Sequence, residues 1–431
     1  NGQEVTTQLE KLSKVQTIIF QTEQPMSLLE ACISRFKYLR LLDLSNSSFE
    51  VLPNSIGSLK HLRFLNLEGN DIIKQLPDSI CKLHSLQTLR LGDCSNLERL
   101  PKGIRDIISL RFLWVTTKHT CLSEKAVGCL DSLRLLSISN CENLKCLFER
   151  MEGRLTNLRT LLVNECPSLT SLSLSIKHLT ALETLIIMEC EELSLMEMEG
   201  EDNQDLKLSL QKLMIVDLPK LEVLPQWLQG SANTLQSLAI ANCENLKALP
   251  EWLPRLKSLH TFRIVDCPKL SSLPEGMEAL TALRQLKIGG CPDLSRKCRE
   301  EDSHKIAHVP KIELEEDSGS SSSSLELEEE YYSQHTLIID NCEEVSLIEE
   351  DNQNLKLTLR KLRLSLHKSF WFCPNGSKDL PTLQHLEIEN VTISMVLPDW
   401  LPSLRPIQTL QITGCPKFLN KRKIMEFLIV I

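Results

Sequence analysis

LRFLNLEGN at residues 62–70 alternates leucine with variable positions over its middle five residues, as a strand with one buried face does. It aligns without gaps with LRLLDLSNS at 39–47 and LQTLRLGDC at 86–94, so one template, L-x-x-L-x-L-x-x-(N/C/S), recurs every 23 or 24 residues. The template returns as LRLLSISNC (133–141), LRTLLVNEC (158–166), LETLIIMEC (182–190), LQSLAIANC (235–243), LHTFRIVDC (259–267) and LRQLKIGGC (283–291). Looser copies begin at 110 and 210, and the shorter VQTIIF at 15–20 opens the series. A fixed period of this length marks a repeat architecture, and it governs every later reading.

The second half of many units, as in LPNSIGSL (52–59) and LPDSICKL (76–83), shifts its apolar spacing to three or four. Proline at 53, 77, 101, 225, 250 and 274 lacks an amide hydrogen and fixes its own φ, so it belongs to this return and not to a ladder. One unit cannot bury its leucines alone. Stacked units share a continuous core and pair their strands about 4.8 Å apart. The expected fold is an α/β solenoid, a horseshoe with a parallel sheet on the concave face and irregular or short helical returns on the convex side.

A second level of repetition lies near the C-terminus. TLIIMECEELSL (184–195) followed by EDNQDLKLSLQKL (201–213) matches TLIIDNCEEVSL (336–347) followed by EDNQNLKLTLRKL (350–362). LPEWLPRL (249–256) matches LPDWLPSL (397–404) at a similar offset, which reads as a tandem duplication. The copies are separated by DSGSSSSSLELEEE (317–330), which has no core and reads as a linker. The expected organisation is therefore an N-terminal entry with an atypical first repeat (1–35), the array (36–316), a Ser/Glu-rich linker (317–334), a second, duplicated block (335–420) and a C-terminal tail (421–431).

Aromatics make up 4% of the 431 residues, and no run approaches eighteen apolar residues, so no membrane span is expected. A formal charge of -9 without a Lys/Arg stripe argues against nucleic acid as a partner. The chain begins at Asn1 with no basic-then-apolar leader and reads as a segment of something longer. The N-x-S/T sequons at Asn46, Asn375 and Asn390 would matter only in a secreted chain.

Nine of sixteen cysteines, at 94, 141, 166, 190, 243, 267, 291, 342 and 415, occupy the ninth template position. A small side chain is needed there to fill space under the strand edge near backbone carbonyls, and Asn70 and Ser47 fill the same role. Cys141 with Cys146, and Cys291 with Cys298, His304 and His308, are the sharper candidates for metal ligands. None has paired C-x2-C knuckles, so no metal is expected. No phosphate loop, nucleophile elbow, H-E-x-x-H or dinucleotide fingerprint occurs, and the expectation is a chain that is not an enzyme.

What remains is the side of the sheet turned away from the leucines, the third, fifth and seventh template positions. From Phe112 to Val216 these hold Phe112, Trp114, Leu135, Leu162, Ile186, Met188, Met214 and Val216, an apolar strip expected to be exposed and to bind a protein partner or another part of the full protein. Later units turn polar, with Arg263 and Lys287 on the same face.

Units with L-x-x-L-P-x-x-I-x-x-L returns, and phrases such as LRFLNLEGN (62–70), IKQLPDSICKLHSLQTLRLGDCSNLERLP (73–101) and HVPKIELE (308–315), resemble the leucine-rich repeat region of plant intracellular immune receptors. More narrowly they resemble nucleotide-binding leucine-rich-repeat disease-resistance proteins of the coiled-coil type, over about residues 10 to 316. Extracellular plant repeat receptors carry G-x-I-P where this chain has only LP. The resemblance implies a cytoplasmic sensor portion that binds a pathogen effector or a guarded host protein, and also the receptor's own nucleotide-binding domain. It implies no cofactor in this chain, ATP/ADP belonging to an upstream domain. The linker and duplicated block depart from the family pattern. Two other functions fit a solenoid: a scaffold or adaptor without an immune role, and a secreted inhibitor of microbial enzymes.

Overall fold

A computed structural model describes residues 15–20, 26–47, 49–122, 127–148, 155–172, 179–195 and 208–315, with four further strands within 337–413. The linker (317–334), the tail (421–431) and the sequons at Asn375 and Asn390 lie outside the described residues. The chain divides into two units, Asn1–Ser324 and Leu325–Ile431.

Thirteen strands of the first unit form one parallel sheet in strict chain order, from Thr17–Ile19 to Lys311–Leu314. Pairing is in template register, so that Leu42, Leu65, Leu89, Leu113, Leu136, Leu161 and Leu185 stand side by side, each fully buried. Each leucine closes over its neighbour from the adjacent coil. At roughly 1.5–3 kcal/mol per buried leucine, this stack supplies the cohesion that a strand of three to five residues lacks alone.

The returns run as short 3-10 turns. Pro53, Pro77 and Pro225 precede the turns Asn54–Ser58, Asp78–Lys82 and Gln226–Ser231 with φ of -69°, -66° and -71°, which proline pre-sets. A second, shorter row of parallel pairing joins some returns, with Cys121–Leu122 against Cys146–Phe148.

Between strand and return the chain turns through one left-handed residue per coil, at the eighth template position. Asn46, Gly69, Asp93, Asn140, Glu165, Glu189, Asp217, Asn242, Asp266 and Gly290 all have φ between 49° and 72°. Asn, Asp and Gly tolerate that region, which is why they recur here. The looser copy at 110 departs from it: its eighth residue is β-branched Thr117, which shows no positive φ. That corner is held by hydroxyls. Thr116 Oγ1 accepts from Asp93 N (2.9 Å) and donates to Ser139 O (2.7 Å), and Thr117 Oγ1 donates to Leu97 O (3.1 Å).

The ninth-position side chains fold under this corner. Cys141, Cys166, Cys190, Cys243, Cys267 and Cys291 are fully buried, each donating from Sγ to the carbonyl two residues back at 3.2–3.4 Å. Asn70 does the same work with its amide, donating to Leu44 O (2.7 Å) and Leu67 O (2.8 Å).

The array is flanked by helices that the template does not foresee. Helix α1 (Met26–Arg35) buries Leu29, Cys32 and Ile33. Helices α2 (Pro292–Arg299) and α3 (Ser303–Ile306) cover the last leucines with Leu294, Cys298 and Ile306 before the final strand. In the second unit Leu337–Asp340, Lys361–Ser365, His385–Glu389 and Thr409–Thr413 form a four-stranded parallel sheet, again in chain order.

Candidate functional site

The side of the first-unit sheet opposite the leucines carries rows of laterally paired side chains. In the fifth-position row Trp114, Ser137, Leu162, Ile186, Met214 and Ala239 stand in register. Phe112 pairs with Leu135 in the third-position row, and Met188 with Val216 in the seventh.

The expectation of an exposed strip is corrected at four positions. Leu162, Ile186, Met188 and Val216 are buried, at 3–4% exposure. Strands about 4.8 Å apart bring apolar side chains of one row into lateral contact, and each covers the next. Phe112, Trp114, Leu135 and Met214 remain half-buried and can be reached from outside, as can Arg263 and Lys287. The strip is thus a packed apolar floor with a few accessible side chains.

Charge marks its two ends. Toward the N-terminus, Arg90 lies 5.3 Å from the Trp114 ring centroid and pairs with Glu68 at 2.5 Å, a cation held between a π face and a carboxylate. The Phe112 and Trp114 rings lie 6.5 Å apart, so the aromatic end is one surface. Toward the C-terminus Arg263, Lys287 and Glu313 are in register, and Lys287 approaches Glu315 at 3.7 Å. The hydrogen bond from Lys311, with Lys287 and Arg263 nearby, holds the Glu313 carboxyl below its usual range.

Where the strands end, a groove of about 1440 Å³ crosses seven successive coils. Eight carboxylates and two lysines, Lys118 and Lys220, line it. Four of the carboxylates, Asp93, Glu165, Glu189 and Asp217, belong to the left-handed column. Coils are tied across it, Asn140 Nδ2 donating to Asp93 Oδ1 two coils away (2.6 Å) and Asn242 Nδ2 to Asp217 Oδ2 in the neighbouring coil (3.3 Å). In the sequence these acids stand in separate turns about one repeat apart. The signal was there, an acid repeating just after the strand, but only the coil geometry sets the acids side by side.

The metal candidates are engaged separately. Cys141 donates into the strand edge, while Cys146 sits half-buried in the return row. The His304 ring bonds Glu301 O (3.0 Å) and the His308 ring bonds Leu280 O (3.2 Å). Among the described residues no group of three or more His, Cys, Asp or Glu is placed to hold a metal, and no helix is long and apolar enough to cross a membrane. Burial pushes the Cys32 and Cys81 thiols up to about 11 and those of Cys94 and Cys298 up to about 12. In the Cys141–Cys166–Cys190 row, hydrogen bonding to Cys166 and then burial raise both outer thiols. A nucleophilic or metal-binding thiol needs the opposite shift together with access; hydrogen bonds from neighbouring thiols do lower Cys166, between Cys141 and Cys190, and Cys243, beside Cys267, but both are fully buried.

Solved structures similar to this chain include a leucine-rich repeat protein of Leptospira interrogans, 22% identical over 65% of this chain and 86% of that one, with a TM-score of 0.33. The leucine-rich repeat domain of the type III effector XopL is 26% identical over 52% of this chain and 74% of its own, TM-score 0.43. The PEPR1–AtPEP1 complex is 17% identical over 93% of this chain and 49% of that one, TM-score 0.44. No protein with a curated description matches. The family model described as a leucine-rich repeat region matches residues 14–242, just over half of the chain, and with thirteen coils stacked in register the protein belongs to the leucine-rich repeat family.

Proposed function

We propose that this chain is the protein-recognition portion of an intracellular plant immune receptor of the coiled-coil, nucleotide-binding type, with no catalytic activity of its own. Its concave face binds a pathogen effector or a guarded host protein and, in the resting state, the receptor's own nucleotide-binding domain. One observation carries the recognition role: an apolar floor runs in register from Phe112 to Val216 with accessible side chains at Phe112, Trp114, Leu135 and Met214. Surfaces of that kind serve interfaces in solenoids. The receptor class is supported by the L-P-x-x-I returns and by eleven free cysteines among the described residues, which suit a reducing compartment. A partner switches such a receptor only if it binds the active state more tightly than the resting one.

The test replaces Trp114, Leu135 and Met214 together by Asp in the full-length protein. Loss of partner binding, or signalling without a trigger, at an unchanged melting temperature is the expected result. Wild-type binding and signalling would remove the concave floor from consideration. Ile186, buried at 3%, is left intact, because an aspartate there would unfold the array instead of probing its surface. Sequencing the transcript upstream of the codon for Asn1 tests the receptor class, since a phosphate-binding loop is required there and a different domain would leave a scaffold or adaptor.

A further inference from the structure

We infer that the partner of the concave face presents a basic, extended segment with interspersed apolar side chains, seated on the apolar floor with its cations in the acidic groove beside it. The inference rests on the concave-face reading and adds the partner's chemistry. The two surfaces are continuous: each seventh-position residue is followed directly by the left-handed residue of the groove, as in Met188–Glu189 and Val216–Asp217. Across the groove eight carboxylates face two lysines, and Lys220 is already paired with Glu192 while Lys118 donates to Asn96 Oδ1 at 2.6 Å. The exposed carboxylates of Glu142, Glu191 and Glu244 have no ion pair among the described residues, so a partner's cations would meet uncompensated charge.

Shape selects a chain over a small ligand. At about 1440 Å³ the groove exceeds the roughly 300–1,000 Å³ of small-molecule pockets. Seven coils at about 4.8 Å make a span of about 29 Å, the length of about nine extended residues at about 3.3 Å each. A divalent cation is disfavoured, because no metal-holding group occurs among the described residues. Nucleic acid would be repelled by this edge. In an extended segment alternate side chains face opposite ways, which lets one set reach the floor while the other reaches the acids.

The test uses the full chain and a fluorescent peptide of about nine residues alternating Lys and Leu, matched to the groove length, with Glu/Leu and Lys/Gly peptides of equal length as controls. The Lys/Leu peptide is expected to bind most tightly and the Glu/Leu peptide not at all. Its affinity should fall about tenfold or more between about 50 and about 300 mM NaCl, and by a similar factor in the combined Glu142→Lys, Glu191→Lys, Glu244→Lys variant. The three carboxylates are exposed, and circular dichroism melts confirm that the variant folds. Unchanged affinity in that variant overturns the inference, as does Lys/Gly binding as tightly as Lys/Leu. If the Trp114→Asp, Leu135→Asp, Met214→Asp variant loses the peptide while the charge variant keeps it, the concave-face reading stands and the basic partner falls. If neither variant loses it, both fall.

Discussion

At the scale of single residues, the eighth template position decides whether a coil can turn. Glycine is obligatory where the corner is tightest: Gly290 has φ 60°, and a Cβ there would lie 1.9 Å from Asp266 Oδ1 and 3.1 Å from Asp266 Cα. Gly290→Ala is therefore expected to lower stability by about 1–2 kcal/mol or more, readable as a shifted urea midpoint. Glu165 and Glu189 hold the same conformation at φ 49° and 52° without an amide or glycine to ease it. Glu189→Gly should raise stability by up to about 1 kcal/mol, the relief of left-handed strain exceeding the extra chain entropy of glycine. The buried thiols give a second residue-scale expectation. Burial raises Cys94 and Cys298 from 9.0 to about 12 in the folded chain, so folding keeps protons that the unfolded chain releases. Their contribution is complete below pH 9 and is lost as pH rises from 9 towards 12, by about 1.4 kcal/mol per pH unit per thiol. A Cys94→Ala, Cys298→Ala variant should show a shallower loss of stability over that range in denaturant titrations, and an identical slope would contradict the burial argument.

At the scale of elements, the strands were legible and the caps were not. The x-L-x-L-x alternation places each strand within a residue or two, because one face of every strand meets the same leucine stack. Helices α2 and α3 interrupt the period, and their fit depends on an ion cluster that no motif announces. Lys305 Nζ reaches Asp302 Oδ1 (2.9 Å), Glu275 Oε1 (2.8 Å) and Leu273 O (3.0 Å), with side-chain exposures of 6% for Lys305 and 10% for Asp302. Removing one member leaves a buried charge alone. Lys305→Ala should cost about 3–5 kcal/mol, and the pair Lys305→Met with Asp302→Leu should recover most of it. A calorimetric melt separates the two outcomes. The corner at Thr116 and Thr117 makes the same point: two hydroxyls replace a left-handed residue, a substitution legible only once Asp93 N and Ser139 O are seen to converge on one oxygen.

At the scale of the whole molecule, the first unit is a one-dimensional stack whose first and last described returns are helical, and such stacks are stabilised by nearest neighbours. A chain ending at Ser324 is therefore expected to keep the cooperative melt of the first unit, and a broadened or lowered transition would show that Leu325–Ile431 contributes to it. The period, the inward leucines, the convex prolines and the buried cysteine column follow from the sequence by itself, because each depends on a residue's own coil and on the identical coil beside it. Tertiary structure alone decided which outward side chains can be touched. Leu162 and Met214 occupy the same template position in coils two apart, yet one is buried and the other accessible. The difference lies in the neighbours that pairing brings alongside, residues about one repeat away in the chain and about 4.8 Å away in space. The groove of carboxylates arises in the same way, from acids that are scattered along the chain and become a line only when the coils stack.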